Sequence, residues 1–219
     1  EQNFHFIESM GLLATTRYLF ELLVWMKTVH DDERYAHVYY AQLVEKQSRY
    51  WVDYESQLTR EIALLRRLAI REESLAHSER ESIEAIASTI ERAAYQVDQD
   101  AARMFTLYGD EARHNGYAFQ AHLVESSLLP RIQANAMEVQ TELKNARELV
   151  PPELQKCISR WEWKAQAVRV GMGEEYEFIY TFSSRLLHAT PPSISTDQKN
   201  LEVAEMLVFL RYIRVTMQD

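Results

Sequence analysis

The sequence has few of the residues that interrupt helices or cross-link a chain. Its 219 residues include one cysteine, five glycines and five prolines. The single cysteine, Cys157, excludes an intramolecular disulfide framework and a cluster of cysteine metal ligands. No apolar run approaches the roughly 20 residues that a membrane-spanning helix needs. We therefore expect a cytoplasmic protein in a reducing compartment, with no membrane partner.

The overall charge limits what the surface can bind. Lysine and arginine number 24 against 33 aspartate and glutamate, a formal net charge of -9 at pH 7. A surface of this sign repels phosphate backbones, so nucleic-acid binding requires a local basic patch. Because 47% of the residues are hydrophobic, the chain has enough material for one substantial core. We expect residues 1–219 to form a single domain.

The segments between glycines and prolines are typical of helices. They are rich in Glu, Ala, Leu, Arg and Gln, and strand-like alternation is almost absent. We predict an all-α fold, an antiparallel bundle of about six to eight helices that includes long rods. Glycine and proline set the predicted limits. The helices cover Phe4 to Thr28, Asp31 to Arg71, Ser78 to Met104, Asp110 to Leu128, Arg131 to Leu149, Glu153 to Gly171, Gly171 to Pro191 and Asp197 to Val215.

A stripe of polar and aromatic side chains occupies the helix that follows Gly171. Its members recur at intervals of four and would share one helix face: Tyr176, Tyr180, Ser184 and His188. An imidazole among hydroxyls can act as a general acid or base, and phenols can donate to a phosphate or a developing oxyanion. The same side chains also fit a structural polar layer, with hydrogen-bonded phenols and a histidine that favours the helix dipole.

The first helix carries an opposite pair of charges on one face. Arg17 and Glu21 lie one turn apart in an otherwise apolar stretch, so we expect them to be buried between helices. Two interpretations remain open. The pair either lines a pocket with His188 or forms a structural ion pair that fixes the register of neighbouring helices.

Two further patterns, a Glu-x-x-His spacing and a run of alternating charges, give weaker indications of function. Glu111 and His114 have the Glu-x-x-His spacing of di-iron bundles, but the chain has no second copy, so we expect neither a metal nor any other cofactor. Charges of both signs also alternate along the second helix, which is typical of a solvated face. These are Arg60, Glu61, Arg66, Arg67, Arg71, Glu72 and Glu73.

Two terminal segments resemble an uncharacterised all-helical family of bacterial proteins. In that family an Arg-x-x-x-Glu first helix is followed, far downstream, by a Tyr-x-x-Ser-x-x-x-x-His helix. The residues of this chain that match are Arg17, Glu21, Tyr180, Ser183 and His188. Through that family the chain is similar to HEPN domains. These are helical bundles of toxin–antitoxin and phage-defence systems, and many are dimeric, metal-independent ribonucleases.

The resemblance implies a ribonuclease of a bacterial defence or toxin system, with His188 as acid or base. HEPN nucleases place an arginine before that histidine, with four to six residues between. Here Arg185 stands three residues before His188, so the arginine that stabilises phosphate charge would be Arg185 or Arg17. Glu21, Tyr180 and Ser184 complete the expected site. The implied partners are RNA, an antitoxin or defence-system subunit, and a second copy of the chain.

The competing hypothesis is a non-enzymatic interaction or assembly protein. In this case the polar stripe is a satisfied layer that specifies helix packing. Four tryptophans and twelve tyrosines, together with wide apolar helix faces, suit an interface between copies of the chain.

Overall fold

The computed structural model describes residues 2–78, 95, 97–99, 106–187, 201 and 203–218. Within these ranges every regular element is a helix, so the prediction of an all-α fold with long helices is confirmed there. The α-helices are α1 Gln2–Asp31, α2 Tyr35–Ser78, α3 Gly109–Asn115, α4 Tyr117–Leu123, α5 Leu129–Leu149, α6 Lys156–Ser159, α7 Trp163–Arg169, α8 Gly173–Glu175, α9 Thr181–Leu187 and α10 Val203–Thr216. Val124–Leu128 and Tyr176–Tyr180 are π-helical turns, and Pro152–Leu154 is a 3-10 turn.

The chain divides into two compact units. The terminal unit comprises residues 1–42 and 146–219, and the central unit comprises residues 43–145. The expectation of a single domain over residues 1–219 stays a prediction. Of the helices in the described ranges, none combines the length and the apolar character needed to cross a membrane.

The core of the terminal unit is built around α1. This helix packs against α7, α9, α10 and the π turn that precedes α9. Leu13, Phe20 and Val24 are fully buried and recur at helical spacing, so one face of α1 supplies them all. The other buried members of this core are Ala167, Met172, Ile179, Leu201 and Phe209.

The central unit contains two smaller apolar clusters along α2. Leu58 and Ile62 meet Val124 and Ile132 in the first cluster. In the second, Leu65 and Leu68 pack with a group that includes Ala112, Tyr117 and Ala121. The four α2 residues recur at steps of three and four, so a single face of this helix supplies them to both clusters.

Glycine rather than proline interrupts the segment that follows α3. Gly116 has φ +88°, which residues with a side chain rarely adopt, and it separates α3 from α4. Beyond it the helix runs without a break from 117 to 149, so the predicted separation at Pro130 is wrong. The π-helical turn Val124–Leu128 lies directly before this proline. Its wider turn makes room for a ring that would collide with the carbonyl of Ser126 in a regular α-helix.

The segment between Glu153 and Gly171 is also less regular than predicted. One helix was expected, whereas α6 and α7 are separate and short. Gly171 has φ +74°, and the next helix begins two residues later at Gly173. Glycine is therefore the residue that permits the turn into the predicted polar stripe.

A buried carboxylate stabilises the start of α3. Glu61 is only 1% exposed. Both oxygens of its carboxylate accept the backbone N–H of Leu107, at 2.8 and 2.9 Å. Its Oε1 also accepts the N–H of Tyr108, at 2.6 Å. Charge-assisted hydrogen bonds of this kind allow a carboxylate to be buried. The interpretation of Glu61 as part of a solvated face is wrong, because its position coincides with the apolar face of α2.

Candidate functional site

The structure brings the matched residues of the first helix next to those of the late helix. Arg17 and Glu21 lie on α1, and Tyr180 lies at the end of the π turn that precedes α9. The Arg17 Nη2 donates to the phenol oxygen of Tyr180 at 3.4 Å, across 163 positions of sequence. His188, the expected acid or base, lies outside the described residues. The described part of the site is therefore an arginine, a glutamate and a tyrosine.

Arg17 makes both a polar and an aromatic contact. Its Nε donates to Oε1 of Glu21 at 2.9 Å, and its Cζ lies 5.1 Å from the centre of the Tyr180 ring. The side chains of Arg17 and Glu21 are each 27% exposed, so the pair is half-buried and still reaches solvent. A guanidinium held at its Nε edge and open to solvent can approach an anion.

The surroundings oppose loss of a proton from either Arg17 or Tyr180. Burial acts to lower the pKa of Arg17, but the hydrogen bond and charge of Glu21, with Tyr180, raise it above its ordinary value. Burial raises the pKa of Tyr180, and the nearby cation of Arg17 offsets only part of this rise. The site thus presents a permanent cation beside a neutral phenol that can donate a hydrogen bond.

Aromatic rings hold the phenol in place. Tyr176 stacks on Tyr180 with ring centres 5.0 Å apart, and Phe20 lies 5.4 Å from the Tyr180 ring on the α1 side. Trp163 packs against Tyr180 at 6.0 Å. Sequence spacing identified Tyr176, but it gave no signal for Phe20 or Trp163, whose contact with Tyr180 depends on packing between distant helices. This aromatic enclosure limits the orientations that Tyr180 can adopt.

The π turn changes how the stripe is arranged. Tyr176–Tyr180 closes i to i+5 rather than i to i+4, and the Thr181 hydroxyl donates to the carbonyl of Tyr176 at 3.0 Å. Regular four-residue spacing therefore describes only the stripe beyond Tyr180. Such turns are frequently found at functional sites, which directs attention to this helix.

The two serines of the stripe differ in their contacts. Ser183 is fully buried. Its hydroxyl donates to the carbonyl of Ile179 at 2.7 Å, and the carbonyl of Tyr180, at 3.1 Å, is a second acceptor for the same hydroxyl. The Ser184 hydroxyl is buried and makes no hydrogen bond to any described residue. Ser183 thus has a structural contact, whereas Ser184 retains its capacity to donate.

Arg185 and the Glu-x-x-His pair lie at the surface. Arg185 is exposed in the last turn of α9. Glu111 and His114 are exposed on α3, where the His114 Nδ1 lies 2.7 Å from the carbonyl of Asp110. Among the described side chains, no three His, Cys, Asp or Glu residues are grouped closely enough to hold a metal ion.

Comparison with known proteins identifies no relative of this chain. No protein-family model matches the chain, and searches of curated proteins and of solved structures return no significant match.

Proposed function

We propose that this chain is a HEPN-like helical protein of a bacterial defence or toxin system, and that it cleaves RNA without a metal ion. One observation carries the proposal: the contact of Arg17 with Tyr180, which joins two segments that resemble the same family. Four of the five matching residues lie within the described ranges, and all four belong to α1 or to the 173–187 helix.

The chemistry of the proposed site follows from these groups. Cleavage of RNA requires a base or acid at the ribose hydroxyl or leaving oxygen, and a cation near the charged phosphate. In the proposal His188 moves the proton and Arg17 stabilises the phosphate charge. Tyr180 donates a hydrogen bond, and Glu21 orients the guanidinium through its 2.9 Å contact. Arg185, which is exposed, contacts the substrate strand beyond the cleaved bond, whereas the hydroxyl of Ser184 is buried and does not reach that strand.

The proposed partners follow from the same assignment. Since the chain has a formal net charge of -9, RNA would bind through the local cation of Arg17 rather than through a basic surface. An antitoxin or defence-system subunit would cover this site, and two copies of the chain would assemble in the manner of the resembled family. The cytoplasm is the compartment in which such a protein meets RNA.

RNA cleavage by purified variants tests the proposal. We expect His188→Ala to lower the cleavage rate by about 10²–10⁴-fold, the usual contribution of a general acid or base. Arg17→Ala should also lower the rate, and Arg17→Lys should restore only part of it because an ammonium lacks the planar donor edge. The matched control is Arg160→Ala, since Arg160 is an exposed arginine of the same unit that pairs with Glu162 at 2.9 Å.

The stability of each variant must be measured beside its activity. Arg17 and Glu21 form a partly exposed pair one turn apart, a type that contributes only about 0.3–0.5 kcal/mol. The melting temperature of Arg17→Ala should therefore change little, and a catalytic rather than structural role of His188 predicts the same for His188→Ala. Undiminished cleavage by His188→Ala would reject this histidine as the catalyst.

A second candidate function is a non-enzymatic interaction or assembly protein. Two contacts favour it, because Arg17 is already paired with Glu21 and the Ser183 hydroxyl already donates to the backbone. Here the polar side chains form a satisfied layer that specifies helix packing. This function predicts no RNA cleavage in any preparation and a lower melting temperature for His188→Ala.

A further inference from the structure

A continuous row of tyrosine and tryptophan rings runs through the terminal unit. Each ring contacts the next, and the row includes three of the four tryptophans of the chain. In order of contact its members are Tyr39, Trp25, Trp161, Trp163, Tyr180 and Tyr176. Four separate stretches of sequence contribute to the row, so folding alone brings its rings together.

The contacts are close along the whole row. The ring centres of Tyr39 and Trp25 are 5.0 Å apart, and Trp25 stacks on Trp161 at 3.7 Å with planes 13° apart. Trp161 to Trp163 is 5.9 Å and Trp163 to Tyr180 is 6.0 Å. Tyr180 then stacks on Tyr176 at 5.0 Å. All five spacings are below about 7 Å, the upper limit for ring centres in direct contact.

The ring types in the row have a chemical property in common. Indole and phenol lose a single electron more readily than aliphatic or phenyl side chains do, and transfer between rings in contact is fast. We infer that the row conducts one-electron oxidising equivalents from Tyr176 and Tyr180, beside Arg17, to the exposed ring of Tyr39. This activity is independent of the proposed cleavage of RNA.

The charges beside the row set the direction of transfer. The Arg17 guanidinium lies 5.1 Å from the centre of the Tyr180 ring, so it disfavours a positive charge on that ring, and the carboxylate of Glu21 offsets only part of this effect. Tyr35 contacts Trp161 at 6.2 Å and forms a side branch, but Arg169 lies 4.1 Å over its ring and closes the branch in the same way. Tyr39 is 47% exposed, so water can accept its phenolic proton.

The electrons and protons of the process balance as follows. A one-electron oxidant, such as a radical or a photo-oxidised metal complex, takes an electron from the Tyr176–Tyr180 end and is itself reduced. Electrons then move inward, one ring at a time, from Tyr39 toward that end. The net result is a neutral tyrosyl radical at Tyr39 and one proton released to solvent. The inner rings return to their original state.

Site-directed photo-oxidation tests this inference in the full chain. A ruthenium polypyridyl label is attached through Glu177→Cys in a Cys157→Ser background, because Glu177 is exposed and adjoins Tyr176. A flash with a sacrificial electron acceptor oxidises the label. A nitroso spin trap then marks the tyrosyl radical, and peptide mass spectrometry locates the adduct. We expect the adduct at Tyr39.

Interrupting the row provides the decisive comparison. Trp161→Phe keeps an aromatic ring but replaces indole with a phenyl group that resists oxidation, so the adduct at Tyr39 should be lost. Trp163→Phe should act likewise, and it serves if Trp161→Phe does not fold by circular dichroism. Trp51→Phe is the matched control, since Trp51 lies outside the row, and it should leave the adduct unchanged. Adducts confined to Tyr176 and Tyr180 in the labelled parent, or retained at Tyr39 in both variants, would overturn the inference.

Discussion

Replacement of Glu61 by glutamine should destabilise the central unit by about 2–3 kcal/mol. The carboxylate accepts the N–H of Leu107 on both oxygens and the N–H of Tyr108 on Oε1. Glutamine keeps one oxygen, so two of these three contacts survive, but each loses roughly 1 kcal/mol because the acceptor is no longer charged. The third contact becomes unfavourable, since the amide NH₂ and the backbone N–H are both donors.

Amide hydrogen exchange is the most direct assay of this effect. The N–H groups of Leu107 and Tyr108 are the donors to Glu61, so their exchange reports the same contacts. A change of about 2–3 kcal/mol should speed exchange of these two amides by roughly 30–150-fold, since 1.4 kcal/mol is tenfold. Peptides from the terminal unit should keep their exchange rates, because the substitution lies in residues 43–145.

Glu111→Gln provides the control for charge alone. Glu111 is an exposed carboxylate on α3, and its substitution should change the opening free energy by less than about 0.5 kcal/mol. If the amides of Leu107 and Tyr108 exchange at the same rate in the Glu61→Gln variant as in the parent protein, the carboxylate does not stabilise the start of α3. A uniform acceleration in both units would show a general loss of structure and would equally contradict the local explanation.

Two further predictions concern the backbone at Gly116 and the buried phenol of Tyr117. Gly116→Ala should cost about 1–3 kcal/mol in urea unfolding, because φ +88° strains any residue with a side chain. Gly11→Ala, at a helical position where an added Cβ meets no atom within 4 Å, should instead gain about 0.5–1 kcal/mol, and equal effects of the two would refute this reasoning. Burial and a hydrogen bond to Asp98 raise the pKa of Tyr117 above its ordinary value of 10.0, so the folded state keeps a proton that the unfolded chain loses. Stability should therefore fall as the pH rises above about 10, and Tyr117→Phe should reduce that fall in unfolding curves at about pH 9 and pH 11. An unchanged dependence in the variant would assign the fall to other groups.

Helical periodicity predicted much of the fold. The spacing of Leu58, Ile62, Leu65 and Leu68 in the sequence puts them on one face of α2, and they lie in the two clusters of the central unit. Helix limits were harder to predict, because the effect of a proline depends on its neighbours. Pro130 lies inside a continuous helix after a π turn, whereas Gly116, which carries no strong sequence signal, ends one. Positive φ at a glycine is a property of the folded backbone and is not encoded in spacing.

The candidate site was predicted in part. The proximity of Arg17 and Glu21 follows from their separation of one helical turn, and the structure gives them a 2.9 Å contact. The approach of Arg17 to Tyr180 depends on how α1 packs, which local pattern does not determine. Glu61 was misassigned for a related reason. Its charge suggested exposure to solvent, whereas its two backbone partners, Leu107 and Tyr108, lie 46 and 47 positions along the chain and cannot be identified from local spacing. The role of His188 stays a prediction.

The wide turn over Tyr176–Tyr180 affects how this helix should be aligned with other sequences. A π-helical turn holds one residue more than the α-helical turn that would occupy the same length of axis. A related chain that has lost a single residue here could therefore direct the same side chains toward α1, with one position fewer between its tyrosines. Searches that require a fixed count across this segment would overlook such a chain, whereas searches that permit a one-residue gap would find it.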